Sequence, residues 1–288
     1  MLRAHDLGGP KPRQILEILL LNFGHPVSKD RLIDLLWGDT PPQEAVTSVE
    51  SYVSVLRRHL QPGCGRFGPL RTSTGGYLID STTVDLDLAR FSTLLREAQH
   101  VAAESSYRLL TEALSLATGP LLGDDVRAAW AEPERRRHAG VVTAARVQAS
   151  VSAATAGKST EAIYWANQAL LDDPVNEAAW TSLILGLEQD GQLAEGLRCY
   201  ARCRSVLGGE LGCSPSAPLR EAHSRLLRAT ADSHDDLSDA VSALLVLNER
   251  LVRRADTSAQ RHDAAQNSTV REAEQILSAF LRRVGDAA

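Results

Sequence analysis

Apolar residues recur at steps of three and four along most of this 288-residue chain, the period of helices with one buried face. The first such stretch, Arg13 to Phe23, carries Ile15, Leu16, Ile18, Leu19, Leu20 and Leu21. A helix apolar around so much of its circumference expects cover on more than one side. Ser28 is placed to N-cap a second helix with Arg31 to Trp37 as its body, Leu32, Leu35 and Leu36 inward, and Gly38 at its end. A third helix is expected over Gln43–Leu60, behind Pro41-Pro42, with Ala45, Val49, Val53, Leu56 and Leu60 on one face. Its other stripe, Thr47, Ser51, Ser54 and Arg58, stays slim until the basic end. After Pro69 the helical period stops. Leu70 to Ile79 is rich in Thr and contains Gly75-Gly76, which predicts a short hairpin whose glycines take positive φ.

From Val84 onward the pattern is wholly helical. Helices are expected from Asp85-Leu86-Asp87 to Ala98, from Ser105 to Ala117, and from about Pro133 to Ala156, after a loop beginning Gly119-Pro120. A repeat follows. Glu161-Ala162-Ile163 behind Gly157 matches Glu195-Gly196-Leu197 behind Gly191 at an offset of 34 residues, the tetratricopeptide spacing. Beyond residue 230, Leu237, Val241, Leu244, Asn248 and Leu251 form a short heptad seam with one polar position. A polar linker, Asp256 to Asn267, then leads to Thr269 and Glu272, the capping box of a helix bearing Val270, Ala273, Leu277, Phe280 and Val284. This tail reads as a helical hairpin folded on the repeat or as a dimerisation element.

Charge changes the picture in one place. The net charge of −5 argues against a wholesale polycation, but residues 1–80 hold 9 Lys/Arg against 8 Asp/Glu, and the remainder 22 against 28. From Ser51 to Ile79 there is no carboxylate, while Arg57, Arg58, His59, Arg66 and Arg71 all fall inside. A slim polar helix face with a basic end, followed by a hairpin, is the layout of a winged helix-turn-helix. Such a face can enter a major groove, and its arginines can reach phosphates or guanine edges.

Several blocks then point to a family. Leu7-Gly8-Gly9-Pro10-Lys11-Pro12-Arg13, Val27 through Gly38, Tyr52 through Leu60, and Gly76-Tyr77-Leu78 stand in the order of an OmpR-type winged helix. The whole of residues 8–230 resembles the SARP family of actinomycete antibiotic regulators. The repeats, Leu211-Gly212 and Pro215 through Leu227 match its bacterial transcriptional activation domain. The family's small N-terminal sheet is expected to be missing, since the first block begins almost at Met1, which implies either a trimmed or mis-started N-terminus or a partner surface over the first helix.

The resemblance implies a mainly α protein: a winged helix-turn-helix with a short β-hairpin wing, then a tetratricopeptide-like helical repeat. The expected domains are 1–80 for DNA binding, 84–230 for the activation domain and 231–288 for a helical extension. It also implies a sequence-specific activator that binds double-stranded promoter DNA at direct repeats and recruits RNA polymerase to secondary-metabolite genes. Thr47, Ser48, Ser51, Ser54, Arg57 and Arg58 are the expected helix contacts; Arg71, Thr72 and Ser73 are the wing contacts. Trp37 is either a core anchor or a phosphate neighbour, and Asp39, Thr40 and Pro41 are the expected polymerase contact. The repeat domain is expected to meet either the polymerase or a second copy in a homodimer. A helical-repeat adaptor that has lost DNA binding is the alternative.

Other chemistry is weakly signalled. Ala156-Gly157-Lys158-Ser159-Thr160 ends like a phosphate loop, but Ser152 stands where a glycine is needed and a helix where a strand should precede. Gly157 reads better as a turn between repeat helices. Cys199, Cys203 and Cys213 lack a fourth metal ligand nearby, and no dense Ser-His-Asp or paired-carboxylate set suggests catalysis. Arg135-Arg136-Arg137 is balanced by Glu132 and Glu134, leaving a second phosphate contact as a weaker reading. No cofactor is expected. The four cysteines show no disulfide framework, and with no leader or membrane-length apolar run the expected location is cytoplasmic.

Overall fold

The computed structural model describes residues 7, 9–64, 67–123 and 128–230; the segments expected to be helical between 235 and 284 lie outside the described residues. The chain divides into two compact units, Met1–Asp173 and Pro174–Ala288.

The first unit opens with α1 (Pro10–Leu21). It starts three residues before Arg13 because Pro10 and Pro12 fall in the first turn, where a proline forfeits no helical hydrogen bond. The two-residue strand β1 (Val27–Ser28) follows. α2 (Lys29–Trp37) is capped as expected: Ser28 Oγ accepts from the Arg31 N–H at 3.1 Å, and Gly38 ends the helix at φ 58°. α3 (Ala45–Leu60) begins two residues after Gln43, the Ala45 N–H being held in a turn by the Pro42 carbonyl.

The wing is β2 (Leu70–Ser73) and β3 (Gly76–Ile79), an antiparallel pair. β1 adds to β3, giving the order β1-β3-β2, so the expected hairpin is part of a three-stranded sheet. The glycines divide their work. Gly75 turns the hairpin at φ 76°, whereas a Cβ on Gly76 would lie 2.0 Å from the Val27 carbonyl oxygen. Gly76 therefore serves the close approach of β1 rather than a positive φ.

Large aliphatics close this part: Ile15, Ile18, Leu19, Leu32, Val49, Val53, Leu56, Leu70 and Ile79 form one buried cluster. Val84 and Trp130 pack against that cluster from the helical segment beyond the wing. α1 also uses its second apolar side, as its composition requires. Leu20, Leu21 and Phe23 line an open cleft with Leu88, Phe91 and Leu121.

The helical part of this unit comprises α4 (Asp87–Ala98), α5 (Ala103–Leu116), a 3₁₀ turn at Ala129–Ala131, α6 (Glu132–Thr155) and α7 (Ser159–Asp172). Successive helices pack on one another from α4 to α7. Small side chains mark the α6–α7 crossing: Ser150 and Ala153 are buried on α6 and Ala162, Ala166 and Ala169 on α7, while Ala145 and Ala149 of α6 pack with Phe91, Leu94 and Leu110 of α4 and α5. Side chains this small let the two backbones approach closely. Ser150 donates to the Ala162 carbonyl at 2.6 Å within the same crossing.

The second unit, as described to residue 230, holds α8 (Glu177–Gln189), α9 (Leu193–Glu210) and a helix over 217–230. Asn176 caps α8, its Oδ1 accepting from the Ala179 N–H at 3.0 Å. At Gly196 the last helix comes close: a Cβ there would meet Leu226 Cδ1 at 2.9 Å. Glu177 accepts from the Ser216 N–H at 2.8 Å, and Tyr200 stacks on His223 with centroids 3.9 Å apart. The repeat is real in the backbone. Gly157 and Gly191 take φ 75° and 74°, and α7 and α9 start two residues after each. The fold is mainly α, a winged helix-turn-helix followed by a helical repeat.

Candidate nucleic-acid interface

The helical period divides α3 cleanly. Ala45, Val49, Val53 and Leu56 are buried, and Thr47, Ser51, Ser54 and Arg58 are exposed on the far side, with Ser48 half-buried at its flank. The polar residues form a ridge of short side chains. Thr47 Oγ1 donates to Glu44 Oε2 at 3.2 Å, and Ser54 Oγ donates back to the Glu50 carbonyl at 2.9 Å. Arg58 is exposed and has no ion-pair partner among the described residues. It lies in the last turn beside Arg57 and His59, where cations oppose the helix dipole favourably.

Arg57 points elsewhere. Its Nε donates to the Leu70 carbonyl at 3.2 Å and its Nη2 to Thr72 Oγ1 at 2.7 Å. Its guanidinium carbon also lies 5.7 Å from the centre of the Tyr77 ring. On the wing, Arg71 and Thr72 are exposed and Ser73 half-buried. Arg71 is ion-paired to Asp80, a buried carboxylate that also accepts from Thr82 N at 3.0 Å and Thr82 Oγ1 at 2.8 Å. Those Thr82 hydrogen bonds, with Arg71 beside them, hold the Asp80 carboxyl below its ordinary range.

The structure thus brings the helix and wing candidates onto adjoining elements, with two of the three arginines bonded to other residues of the chain. Trp37 is half-buried against the core, and Lys11 Nζ sits 5.3 Å over its ring while donating to the Leu36 carbonyl at 2.5 Å. Asp39, Thr40 and Pro41 are all exposed in the α2–α3 loop, where the Thr40 N–H donates to the Trp37 carbonyl at 3.3 Å.

Two neighbours had not been expected. Glu50 lies on the flank of the ridge and pairs with Lys29 Nζ at 2.5 Å, a bond that raises the lysine's pKa. The signal available for it was helical spacing, since Glu50 is three and four residues from Thr47 and Ser54. Gln61, buried one turn beyond Arg57, accepts from the Leu70 N–H at 2.9 Å.

The weaker motifs resolve into packing and pairing. Lys158 donates to Glu104 Oε1 at 2.9 Å and lies 5.1 Å over Tyr107. Cys199 and Cys203 are buried, Cys213 is exposed, and burial pushes the Cys203 thiol up to about 12. Among the described residues no group of three or more His, Cys, Asp or Glu could hold a metal. Arg135 binds the Leu121 carbonyl at 3.2 Å and the Leu122 carbonyl at 3.3 Å, while Arg137 pairs with Glu134 at 2.5 Å. No helix among the described residues is long and apolar enough to cross a membrane.

Comparison with known proteins places this geometry. Residues 7–77 match the family described as "Transcriptional regulatory protein, C terminal", and residues 86–227 match "Bacterial transcriptional activator domain". The regulatory protein DnrI of Streptomyces peucetius is 28% identical over 233 residues, covering 76% of this chain and 84% of DnrI. The transcriptional regulatory protein EmbR of Mycobacterium tuberculosis is 32% identical over 232 residues, covering 77% of this chain but 58% of EmbR. The regulatory protein AfsR of Streptomyces coelicolor is 32% identical over 230 residues, 22% of its length. A solved structure of M. tuberculosis EmbR in complex with a low affinity phosphopeptide superposes with a TM-score of 0.71 at 26% identity, covering 96% of this chain and 66% of that one. With both domains present in this order, and with DnrI and AfsR among its relatives, the chain carries the signature of the SARP family of transcriptional regulators.

Proposed function

We propose that the chain is a sequence-specific DNA-binding activator of antibiotic or other secondary-metabolite genes, acting at promoters with direct repeats. The observation that carries this reading is the exposed ridge Thr47, Ser51, Ser54 and Arg58, standing opposite a fully buried face on the same helix. Ser48 flanks it, and the wing residues Arg71, Thr72 and Ser73 stand on the strand that Arg57 of the same helix bonds. In this reading residues 1–80 bind the duplex, residues 84–230 make protein contacts, and the exposed loop Asp39-Thr40-Pro41 meets RNA polymerase. A second copy bound at the neighbouring repeat is the other partner.

A gel shift with promoter DNA tests it. The wild-type chain should prefer its own promoters over random duplex, and Arg58→Ala should cost about 1–3 kcal/mol if the guanidinium reaches a base. If it reaches a phosphate instead, the loss should be uniform across sequences and the salt dependence should flatten by about one phosphate's worth. A folded wild-type chain with no preference in dilute buffer overturns the reading. That outcome would favour a helical-repeat adaptor, which the engagement of Arg57 and Arg71 within the protein supports.

A further inference from the structure

β2 is an edge strand, since the sheet order is β1-β3-β2. Its outward backbone groups therefore need partners that no strand supplies. The C-terminal end of α3 supplies those of Leu70, from side chains one turn apart. Gln61 Oε1 takes the Leu70 N–H at 2.9 Å, and Arg57 Nε gives to the Leu70 carbonyl at 3.2 Å. The same guanidinium continues to Thr72 Oγ1 at 2.7 Å, two residues nearer the hairpin tip, and faces the Tyr77 ring of β3. Gly68 makes room for this arrangement, because a Cβ there would lie 2.4 Å from Gln61 Cδ. Arg57 thus joins one helix to both strands of the wing through two hydrogen bonds and a ring face. A guanidinium can do this and an ammonium cannot, since the contacts need a planar fork.

We propose that Arg57 and Gln61 clamp the wing to α3, making Arg57 a positioning residue that sets the distance between the helix contacts and the wing contacts on DNA. The proposal extends the DNA-binding reading and rests on it. It assigns Arg57 a different part from Arg58: Arg58 meets the duplex, and Arg57 decides where the wing falls on it. Discrimination should then reside partly in the flank under the wing.

The test uses the full chain and its Arg57→Ala, Arg57→Lys, Thr72→Val and double Arg57→Ala/Thr72→Val variants. Each is titrated against the promoter duplex and against the same duplex cut back by the flank that the wild-type wing protects from hydroxyl radicals. Arg57→Ala should weaken binding about tenfold on the long duplex and under twofold on the short one. Arg57→Lys should fail to rescue, and the double variant should lose little more than Arg57→Ala alone. Equal loss on both duplexes, with a lowered salt slope on the short one, would make Arg57 a phosphate contact and overturn the proposal. Hydrogen exchange without DNA separates the two readings. Arg57→Ala should speed exchange across the β2–β3 ladder amides, leaving the α2 amides unchanged, and unaltered exchange across that ladder would overturn the clamp whatever the duplexes show. A wild-type chain that prefers no duplex would defeat the DNA-binding reading and this extension of it alike, even where the exchange result held.

Discussion

The winged helix and the α6–α7 pair solve packing in opposite ways. The first is closed by large aliphatics, with Ile15, Ile18, Leu19, Leu32 and Leu56 fully buried. The second brings helices together through Ser150, Ala153, Ala162, Ala166 and Ala169, so its interior is made of backbone as much as side chain. The difference fixes what each can tolerate. A core of branched side chains suffers when one is removed, and an alanine crossing suffers when one grows.

Trimming the first core should show the largest effect. Ile18 is 1% exposed within the winged-helix cluster, and Ile18→Ala should lower unfolding stability by about 2–5 kcal/mol in a urea titration. The reciprocal change, Ala166→Leu at a fully buried crossing position, should cost about 1–3 kcal/mol by overpacking. A neutral or stabilising Ala166→Leu would mean that the α6–α7 interface holds spare volume, and the contrast between the two regions would collapse.

The local parts of both regions were legible in the sequence for the same reason: caps and turns are decided by a few adjacent residues. Ser28, Gly38, Gly157 and Gly191 all act where the residue pattern placed them. β1 was not legible, because two residues carry no period and its existence depends on Tyr77 and Gly76 half a domain away. The exposed polar ridge of α3 could be read from helical spacing alone. The partners of its arginines could not. Arg57 and Arg58 are neighbours in an unbroken basic run, and only the wing, thirteen to fifteen residues further on, turns one of them inward. Charge counts identify cations; tertiary pairing decides which remain available.

Capping gives a smaller test of the winged helix. Ser28 serves at once as the last residue of β1 and the N-cap of α2. Ser28→Ala removes only the side-chain acceptor and leaves the strand pairing to Gly76. The expected loss is about 0.5–2 kcal/mol, read from the same urea titration. A larger loss would show that the hydroxyl supports the sheet as well as the helix.

The smallest effect belongs to the cleft where α1 faces the helical segment. His138 of α6 lies there against Phe91, with ring centroids 5.4 Å apart, near Leu20 and Leu21. Burial, aided by the neighbouring Arg137 charge and opposed by Asp87, lowers its pKa below the ordinary 6.5. The folded chain therefore binds this proton less readily than the unfolded chain. Stability carried by neutral His138 is intact above about pH 6.5 and falls as the pH drops below it, by at most about 1.4 kcal/mol per pH unit for one proton. Melting temperatures of wild type and His138→Gln at pH 7.5 and 5.5 should differ in their pH response, with the wild type losing more. Were both to fall in parallel, the cleft would contribute nothing to acid sensitivity, and the two cores would have to account for it without their junction.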